Sequence, residues 1–288
     1  MARKYLRLGI ALFALLTCSA WAEDSFFNSA GARIHYTVDG QGDPVVLIHG
    51  LGLSIATNWS QPGIINALAD TCQVIAIDNR GHGQSDKPHD PRDYGSKMVD
   101  DVIRLMDHLK IARAHVVGYS LGAMITSMLV ADHPDRLLTA TLGGHGRMDF
   151  RGRQDRLDLT KALAESLEQG KGMMPLLVDL ARLQPQSPQQ LELLNKMFLA
   201  LNDPLAVAAV VRGEMDLQAS EAKLRANKVP ALALVGEFDP RKSDVDALAG
   251  LMPNLKVVVI PAANHMTAFR NAEFVSSLKA FLADHSSK

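Results

Sequence analysis

The sequence is poor in cysteine and nearly balanced in charge, and both properties limit what the protein can be. Its 288 residues include two cysteines, Cys18 and Cys72, too few for a thiolate metal cluster. The formal net charge of −1 gives no electrostatic basis for binding nucleic acid. Internal repeats and low-complexity segments are absent. With 21% charged and 47% hydrophobic residues, the composition is typical of a folded globular protein.

Long apolar runs are also lacking, and the one short run near the start has a specific context. Leu8–Leu16 follows the basic residues of Arg3–Arg7 and precedes the small-x-small pattern of Ala20–Ala22. Nine residues span only about half of a ~30 Å hydrocarbon core. We therefore expect residues 1–22 to be a Sec-type signal peptide, with a periplasmic or secreted mature chain that is not stably inserted in a membrane.

Cys18 leaves an alternative for the mature N-terminus. Leu15–Cys18 resembles a lipoprotein signal, although Thr17 stands where such signals have a small residue, so a lipid anchor at Cys18 remains an alternative. If Cys18 is removed with the signal peptide, Cys72 is the only thiol left. No intrachain disulfide is then possible, and Cys72 is expected to be a buried core residue.

Six short, continuous apolar runs alternate with helical patterns along the rest of the chain. They are Pro44–Ile48, Gln73–Ile77, Ala114–Val117, Leu137–Leu142, Ala231–Val235 and Leu255–Ile260. Helices are predicted at Ser96–Leu109, Leu121–Asp132 and Glu273–Ala283, which indicates a parallel sheet covered on both faces. A hairpin of Ser25–Ser29 and Arg33–Val38 comes first. The pattern predicts an α/β fold with an eight-stranded, mostly parallel sheet.

The interval between Leu142 and Ala231 contains no strand candidate. Residues 147–227 carry helical periodicity instead, and we expect a helical cap inserted between two parts of the core, residues 23–146 and 228–288. Its helices are predicted near Arg153–Gln169, Met174–Leu183, Pro188–Leu201 and Pro204–Asp216. The alternative is that these are ordinary helices covering the sheet.

The most specific motif is Gly118-Tyr119-Ser120-Leu121-Gly122, which has the form G-x-S-x-G. A predicted strand leads into it and a predicted helix leaves it. This context predicts a sharp, strained turn that presents the Ser120 hydroxyl above the sheet as a nucleophile. Gly118 and Gly122 lack side chains that would collide across the turn. A simple tight turn without catalytic function is the alternative.

A serine hydroxyl needs a base to remove its proton, and the base needs an acid to orient it. His265 lies in a loop after the last predicted strand, and Asp239 follows the strand before it, so the chain order is Ser, Asp, His. We expect His265 to be the general base and Asp239 its orienting acid. Glu237 and Asp244 are the competing carboxylates.

The developing oxyanion requires two backbone N–H donors. Leu121 follows the nucleophile and is expected to supply the first. The second is expected from Leu51, in the loop His49-Gly50-Leu51-Gly52 that follows a predicted strand. Gly50 and Gly52 let the backbone approach the substrate closely. His49 is expected to support this loop rather than to act as a second base.

Taken in order, these motifs resemble the landmarks of the α/β-hydrolase superfamily over nearly all of the predicted mature chain. They are His49-Gly50, the stretch Asp78–Asp86 (similar to the family's structural D-x-R-G-x-G-x-S turn), the Ser120 elbow, Gly236–Asp239 and His265. The resemblance implies the fold, hydrolysis through an acyl-enzyme and no cofactor. Dehalogenases and epoxide hydrolases of this family have an aspartate at the elbow. Serine there favours esters, lactones, amides, thioesters or carbon–carbon bonds beside a carbonyl.

Apolar side chains of the predicted cap and of the motifs are candidates to line a substrate pocket, although most such side chains only pack. The candidates are Tyr119, Met173, Met174, Leu176, Leu177, Met197, Phe198, Leu201 and Met266. Arg147, Arg151 and Arg153 are expected to be solvated rather than to bind a substrate carboxylate. His133 and His145 lack partners at metal-ligand spacing, so no metal site is predicted.

The sequence therefore predicts a serine hydrolase that cleaves a carboxylic ester of a small, modestly apolar acyl substrate. A lactonase or carbon–carbon bond hydrolase with the same three residues is one alternative. A non-catalytic receptor that uses the capped cleft to bind a ligand is the other. We expect activity to fall as a histidine base becomes protonated. No motif indicates an oligomeric state.

Overall fold

The computed structural model describes residues 24–147, 154–177 and 187–286. Eight strands within these ranges form one sheet in the order β1-β2-β4-β3-β5-β6-β7-β8. The strands are β1 (Ser25–Ser29), β2 (Ala32–Asp39), β3 (Asp43–Ile48), β4 (Cys72–Ile77), β5 (Ala114–Tyr119), β6 (Leu137–Gly143), β7 (Ala231–Gly236) and β8 (Leu255–Ile260). The predicted signal peptide and the alternative anchor site Cys18 lie outside the described residues.

The sheet is mixed, as the sequence predicted. β2 pairs antiparallel with β1 and β4, and all other neighbouring strands are parallel. The ends of β5, β6 and β7 run one or two residues beyond the predicted apolar runs, because ladder pairs such as Tyr119 with Gly143 do not require an apolar side chain. This extension brings the strand ends directly to the motif residues.

Ten α-helices are described. They are α1 (Ile64–Ala69), α2 (Ser96–His108), α3 (Leu121–Asp132), α4 (Gln154–Glu168), α5 (Met174–Leu177), α6 (Pro188–Leu201), α7 (Pro204–Gly213), α8 (Glu221–Arg225), α9 (Lys242–Leu251) and α10 (Ala272–Ala283). A π-helical turn, Ile55–Ser60, follows β3.

Helices cover both faces of the sheet because side chains alternate between faces along each strand. In β3, Val46 and Ile48 pack in the cluster that contains the apolar faces of α2 and α3. Val45 and Leu47 pack on the opposite face, in the cluster formed with α1 and α10. Cys72 is a buried free cysteine in this second cluster, as expected.

The described residues between β6 and β7 form helices and no strand. Of the predicted cap helices, Pro188–Leu201 has the predicted bounds, and α4 begins at Gln154. The predicted helix Met174–Leu183 is described only as far as Leu177. α7 ends at Gly213 and continues as a short 3₁₀ turn, Glu214–Asp216.

These helices share a small apolar cluster separate from the two clusters on the sheet. It contains Leu163 and Leu167 of α4, Phe198 of α6, and Val207 and Val211 of α7. On its other side, α7 packs against the core through Ala209 and Val210. Residues after α7 no longer pack in this separate helical cluster, because Leu217 and Leu224 belong to the core cluster on the sheet. The cap boundary at residue 227 stays a prediction.

No single helix in the described ranges has both the length and the apolar composition to cross a membrane. The helix Pro188–Leu201 and the segment Pro204–Asp216 reach that length only as a pair bent by 90°.

The order of the strands creates a crevice at the carboxyl edge of the sheet. β3 lies between β4 and β5, so the chain leaves β3 towards one side and returns on the other. The loops that follow β3 and β5 therefore diverge, and ligands of open α/β sheets bind at such a point. The loop from His49 and the turn at Ser120 flank this crevice.

Candidate active site

Ser120 occupies the turn between β5 and α3 in a strained backbone conformation, with φ 52° and ψ −110°. A non-glycine residue in such a conformation costs about 1–3 kcal/mol and persists only when its surroundings hold it. The Ser120 N–H donates to the Gly143 carbonyl at 2.8 Å, and the Ser120 carbonyl accepts from Ala123 N–H at 2.9 Å. The turn is therefore held at both ends, and the Ser120 side chain remains partly exposed.

Gly118 and Gly122 make this turn possible. A Cβ placed on Gly118 would lie 2.1 Å from the Gly122 carbonyl oxygen. A Cβ placed on Gly122 would lie 2.0 Å from the Ile48 carbonyl oxygen at the end of β3. Both contacts are with backbone atoms, so a larger residue at either position would have to displace the backbone of the turn or of β3.

Ser120, His265 and Asp239 come together at the carboxyl edge of the sheet. His265 Nε2 lies 3.1 Å from Ser120 Oγ, and His265 Nδ1 lies 2.8 Å from Asp239 Oδ2. A carboxylate oxygen only accepts, so Nδ1 carries the hydrogen and Nε2 presents its lone pair to the serine hydroxyl. This arrangement can remove the hydroxyl proton.

The Asp239 carboxylate is completely buried and has a donor on each oxygen. The second oxygen, Oδ1, accepts from Arg241 N–H at 2.8 Å. The competing carboxylates are engaged elsewhere. Glu237 Oε2 accepts from Ala262 N–H at 2.9 Å, and Asp244 pairs with Arg156 at 2.6 Å. Of the three carboxylates considered, Asp239 is the one that contacts the histidine.

The loop after β3 passes directly beside the serine. A Cβ placed on Gly50 would lie 3.4 Å from Ser120 Cβ. Leu121 is the first residue of α3, where a helix leaves its backbone N–H groups without partners. Among the residues that the structure describes, neither Leu51 N–H nor Leu121 N–H has a hydrogen-bond acceptor. Both predicted oxyanion donors are thus free to bind a ligand oxygen.

Tyr119 is placed differently from the pocket position predicted for it. Its side chain is buried, its ring lies 4.9 Å from that of Phe269, and its hydroxyl donates to the His265 carbonyl oxygen. Burial raises the pKa of Tyr119 well above its ordinary value, and the charge of Asp239 adds to this, so the phenol stays neutral. Tyr119 holds the backbone of the loop that carries His265.

The other predicted pocket residues differ in how far they are buried. Phe198 of α6 lies over Gly52, where an added Cβ would meet its ring at 2.5 Å, so α6 contacts the loop after β3. Met173 is buried in the helical cluster with Phe198. Met197 is 52% exposed on α6, and this exposure argues against the pocket role predicted for it. Met266, beside the histidine, is partly exposed.

The remaining predicted pocket residues lie on α5 and α6. Leu176 and Leu201 are exposed, whereas Met174 and Leu177 are partly buried against the helical cluster.

The predicted arginine positions do not converge on the serine within the described residues. Arg147 Nε donates to Glu221 at 2.7 Å, which ties it to α8. Arg151 and Arg153 lie outside the described residues. His145 is buried, and burial, assisted by the charge of Arg241, lowers its pKa well below the ordinary value. No group of three His, Cys, Asp or Glu side chains in the described ranges is arranged to hold a metal ion.

Sequence reasoning missed Asn58, which belongs to the π-helical turn after β3. It is completely buried, and its Oδ1 accepts from Gly50 N–H at 3.0 Å. No motif surrounds this residue, so the sequence offers no local signal for it. His49 Nδ1 donates to the Gly50 carbonyl oxygen at 2.8 Å, so the ring contacts the loop that it was expected to support. Burial lowers the pKa of His49, although the charge of Asp78 and the bond to Gly50 oppose this effect.

Comparison with known proteins identifies the family to which this fold belongs. The family model described as alpha/beta hydrolase fold matches residues 43–272. The chain is similar to the 2-hydroxymuconate semialdehyde hydrolase of Pseudomonas putida, with 27% identity over 273 residues that cover 89% of this chain and 92% of that protein.

Two further relatives extend the comparison. The dihydrolipoyllysine-residue acetyltransferase component of the acetoin cleaving system of Pseudomonas putida is 30% identical over 247 residues, which cover 85% of this chain but only 64% of that protein. The crystal structure of the enol-lactonase from Burkholderia xenovorans LB400 superposes with a TM-score of 0.73 at 26% identity, covering 90% of this chain and 100% of that one. With its eight-stranded mixed sheet and the family match over most of its length, the chain belongs to the α/β-hydrolase fold family.

Proposed function

We propose that the protein is a serine hydrolase that cleaves a carboxylic ester of a small, modestly apolar substrate through an acyl-enzyme on Ser120. The observation that carries this proposal is the continuous hydrogen-bonded path from Ser120 Oγ through His265 to the buried Asp239, with distances of 3.1 and 2.8 Å. It links the only strained serine among the described residues to a base whose tautomer is fixed.

The reaction proceeds in two steps. Ser120 Oγ attacks the ester carbonyl carbon while His265 Nε2 takes its proton, and the N–H groups of Leu51 and Leu121 bind the oxyanion. The C–O bond to the alcohol then breaks, and His265 returns the proton to the departing oxygen. Water, deprotonated by the same nitrogen, attacks the acyl-enzyme, and the acid leaves as Ser120 recovers its hydrogen.

Two observations support an uncharged acyl group. Three arginines of the segment between β6 and β7 are engaged by carboxylates, Arg147 by Glu221, Arg156 by Asp244 and Arg212 by Glu168. Apolar residues, including Phe198 and the partly exposed Met266, border the loops beside the serine. A substrate carboxylate would have to compete with existing ion pairs for a cation.

Lactone or carbon–carbon bond hydrolysis is the second candidate for the same site. It is favoured by the similarity to an enol-lactonase and to 2-hydroxymuconate semialdehyde hydrolase, each aligned over more than nine-tenths of its own length. A ring ester needs the same attack on a carbonyl carbon, so the same three residues would serve. Turnover of a panel of aryl esters, lactones and diketones separates these reactions by their relative kcat/KM values.

The nucleophile is tested with the Ser120→Ala variant. We expect it to lose roughly 10⁶-fold in kcat, by analogy with other triads, and to lose labelling by a fluorophosphonate probe. Ser127→Ala is the matched control, because Ser127 is a buried serine of the helix that follows the elbow and should keep both activities. Turnover retained by Ser120→Ala would contradict the assignment. Absence of labelling in the folded wild-type protein would favour the receptor alternative.

A further inference from the structure

The peptide unit that joins Gly50 to Leu51 is held on its carbonyl side by two donors. The Gly50 oxygen accepts from His49 Nδ1 at 2.8 Å and from Leu53 N–H at 3.2 Å. A trans peptide is planar, so its C=O and N–H point in opposite directions. All described peptide bonds are trans. Fixing the Gly50 oxygen towards the interior therefore turns the Leu51 N–H away from it, towards the crevice.

His49 can donate to the Gly50 carbonyl only if its Nδ1 carries the hydrogen. The hydrogen bond that its other ring nitrogen, Nε2, accepts fixes the hydrogen on Nδ1. The backbone N–H of Asn79 donates to His49 Nε2 at 3.0 Å. Because a backbone N–H cannot accept, Nε2 must be the unprotonated nitrogen. The ring is completely buried, and burial lowers its pKa, so it stays neutral. The tautomer is thus set by the chain and does not depend on ligand.

The preceding peptide unit is held in the same way. Gly50 N–H donates to Asn58 Oδ1 at 3.0 Å, and Asn58 is completely buried. Both peptide units that meet at Gly50 are therefore fixed by side chains that do not reach the substrate. Gly50 itself lies against the elbow, where an added Cβ would be 3.4 Å from Ser120 Cβ.

We infer that His49 and Asn58 are positioning residues that aim the Leu51 N–H at the oxyanion formed on the substrate of Ser120. This inference rests on the proposed function and adds two residues that act through the backbone. A donor aimed beforehand stabilises charge as it develops and needs no reorganisation during the reaction. Loss of this aim should therefore lower kcat and leave KM nearly unchanged.

Two substitutions of His49 separate positioning from general structural support. Asparagine can place an N–H where Nδ1 lies, so His49→Asn keeps a donor to the Gly50 carbonyl and loses the acceptor of Asn79 N–H. Glutamine reaches the position of Nε2, so His49→Gln keeps that acceptor and loses the donor. Each variant removes one buried hydrogen bond, and a merely structural role predicts similar losses in both.

The specific readout is the ratio of kcat for an aryl acetate to kcat for the matching aryl thionoacetate. Sulfur accepts hydrogen bonds poorly, so an aimed donor favours the oxygen substrate. We expect His49→Gln to lose about 10- to 100-fold in kcat on the oxygen ester and to show a reduced oxygen-to-sulfur ratio. His49→Asn should keep most of its kcat on the oxygen ester and most of the oxygen-to-sulfur ratio. Asn58→Leu should also reduce the ratio.

A control and a direct measurement complete the experiment. His285, just beyond α10, is another histidine whose Nδ1 donates to a backbone carbonyl, that of Phe281, at 2.8 Å. His285→Gln should lose this hydrogen bond and leave the oxygen-to-sulfur ratio unchanged. The ¹⁵N chemical shifts of the His49 ring, assigned by difference from His49→Asn, should show hydrogen on Nδ1 and not on Nε2, whether or not any ester is turned over.

The outcomes are distinguishable. An active wild type whose ratio is unchanged in His49→Gln, or equal losses in both His49 variants, would overturn the positioning role. The opposite tautomer in the ¹⁵N spectrum would overturn it without any kinetic measurement. An inactive wild type that is not labelled by the phosphonate would instead count against the proposed function.

Discussion

At the scale of single residues, the carboxylate of Asp239 determines which way the His265 ring faces. Its Oδ2 accepts from His265 Nδ1 at 2.8 Å, and its Oδ1 is held by Arg241 N–H. With both oxygens fixed and no access to water, the carboxylate cannot rotate to offer the ring another geometry. The orientation of the His265 ring is therefore a property of the protein without substrate.

Replacing Asp239 by asparagine should preserve the shape of the site and disturb the tautomer. An amide nitrogen in place of Oδ2 would donate towards Nδ1 and favour hydrogen on Nε2, which faces Ser120. We expect Asp239→Asn to lose about 10⁴-fold in kcat, by analogy with the same change in another triad. Steady-state kinetics with an aryl ester provide the measurement.

Glu237→Gln is the control for this change. Glu237 is exposed and bonds to Ala262 N–H, so its loss should leave kcat as it is. A similar loss of kcat in both variants would show that Asp239 is wrongly assigned as the orienting acid.

The three residues that we propose as a triad, Ser120, Asp239 and His265, could be picked out from the sequence because each follows a strand end within a recognisable motif. The structure brings Ser120 and Asp239 each within hydrogen-bonding distance of His265. Asn58 has no such motif, because its relation to Gly50 depends on a π-helical turn whose path is set by packing. Tyr119 was predicted as a pocket residue since it adjoins the serine, but strand alternation directs its ring inward.

At the scale of elements, the elbow joins β5 to α3 and sets how closely α3 approaches β3. Gly122 lies in the first turn of α3, where its Cα faces the Ile48 carbonyl. A larger residue would push the N-terminus of the helix away from the sheet and move Leu121 N–H with it. The contact therefore couples helix packing to the oxyanion donor.

We expect Gly122→Ala to lower the free energy of unfolding by about 1–3 kcal/mol, the usual cost of forcing a methyl group into a packed site. Gly250→Ala in α9 is the matched control, because a Cβ there meets no atom within 4 Å and alanine favours a helix by up to about 1 kcal/mol. Urea unfolding of both variants gives the comparison. Equal stability of Gly122→Ala and wild type would show that the close contact has no energetic role.

Strand bounds were predicted to within about two residues because each buried strand is a continuous apolar run. β8 and α3 have the predicted bounds. The short α8 and its neighbourhood were assigned to the cap by their helical pattern, yet Leu224 packs in the core cluster. Periodicity identifies a helix but does not identify its partner, since many apolar surfaces accept the same face.

At the scale of the whole molecule, Asp78 forms hydrogen bonds with parts of the chain that are distant in sequence, close to the candidate active site. Its Oδ2 contacts His35 Nδ1 of β2 at 2.8 Å, and its Oδ1 accepts from Ile55 N–H at 2.8 Å. Burial alone would raise the pKa of Asp78, but the hydrogen bonds with His35, Gln84 N–H and Ile55 N–H lower it to about 2. The ionised form is thus the one that stabilises the fold.

His35 is nearly enclosed between two carboxylates, those of Asp78 and Asp24, and Gln84 contacts the same ring nitrogen as Asp24. Burial would lower the pKa of His35, but the bonds to Asp78 and Asp24 outweigh it and raise the pKa. A raised pKa means that the protonated ring stabilises the folded state. That contribution is complete below the ordinary value of about 6.5 and disappears as the pH rises through the folded value.

We therefore expect the stability difference between wild type and His35→Gln to be larger at about pH 5.5 than at about pH 8.5. Urea unfolding at the two pH values measures it. His133→Gln is the control for the loss of a histidine elsewhere in the chain, because His133 lies outside this network. A difference that grows towards high pH would contradict the predicted sign.

The order of residue types along the chain determined, by itself, the elements, the strained turn at Ser120 and the kinds of group available for catalysis. These depend on neighbours in sequence, whose spacing fixes periodicity and turn geometry. Tertiary structure alone decided that β3 lies between β4 and β5, and that Asn58 reaches Gly50. Such contacts depend on how whole layers pack, because a hydrogen bond between distant segments forms only after the surfaces that carry them have found their place.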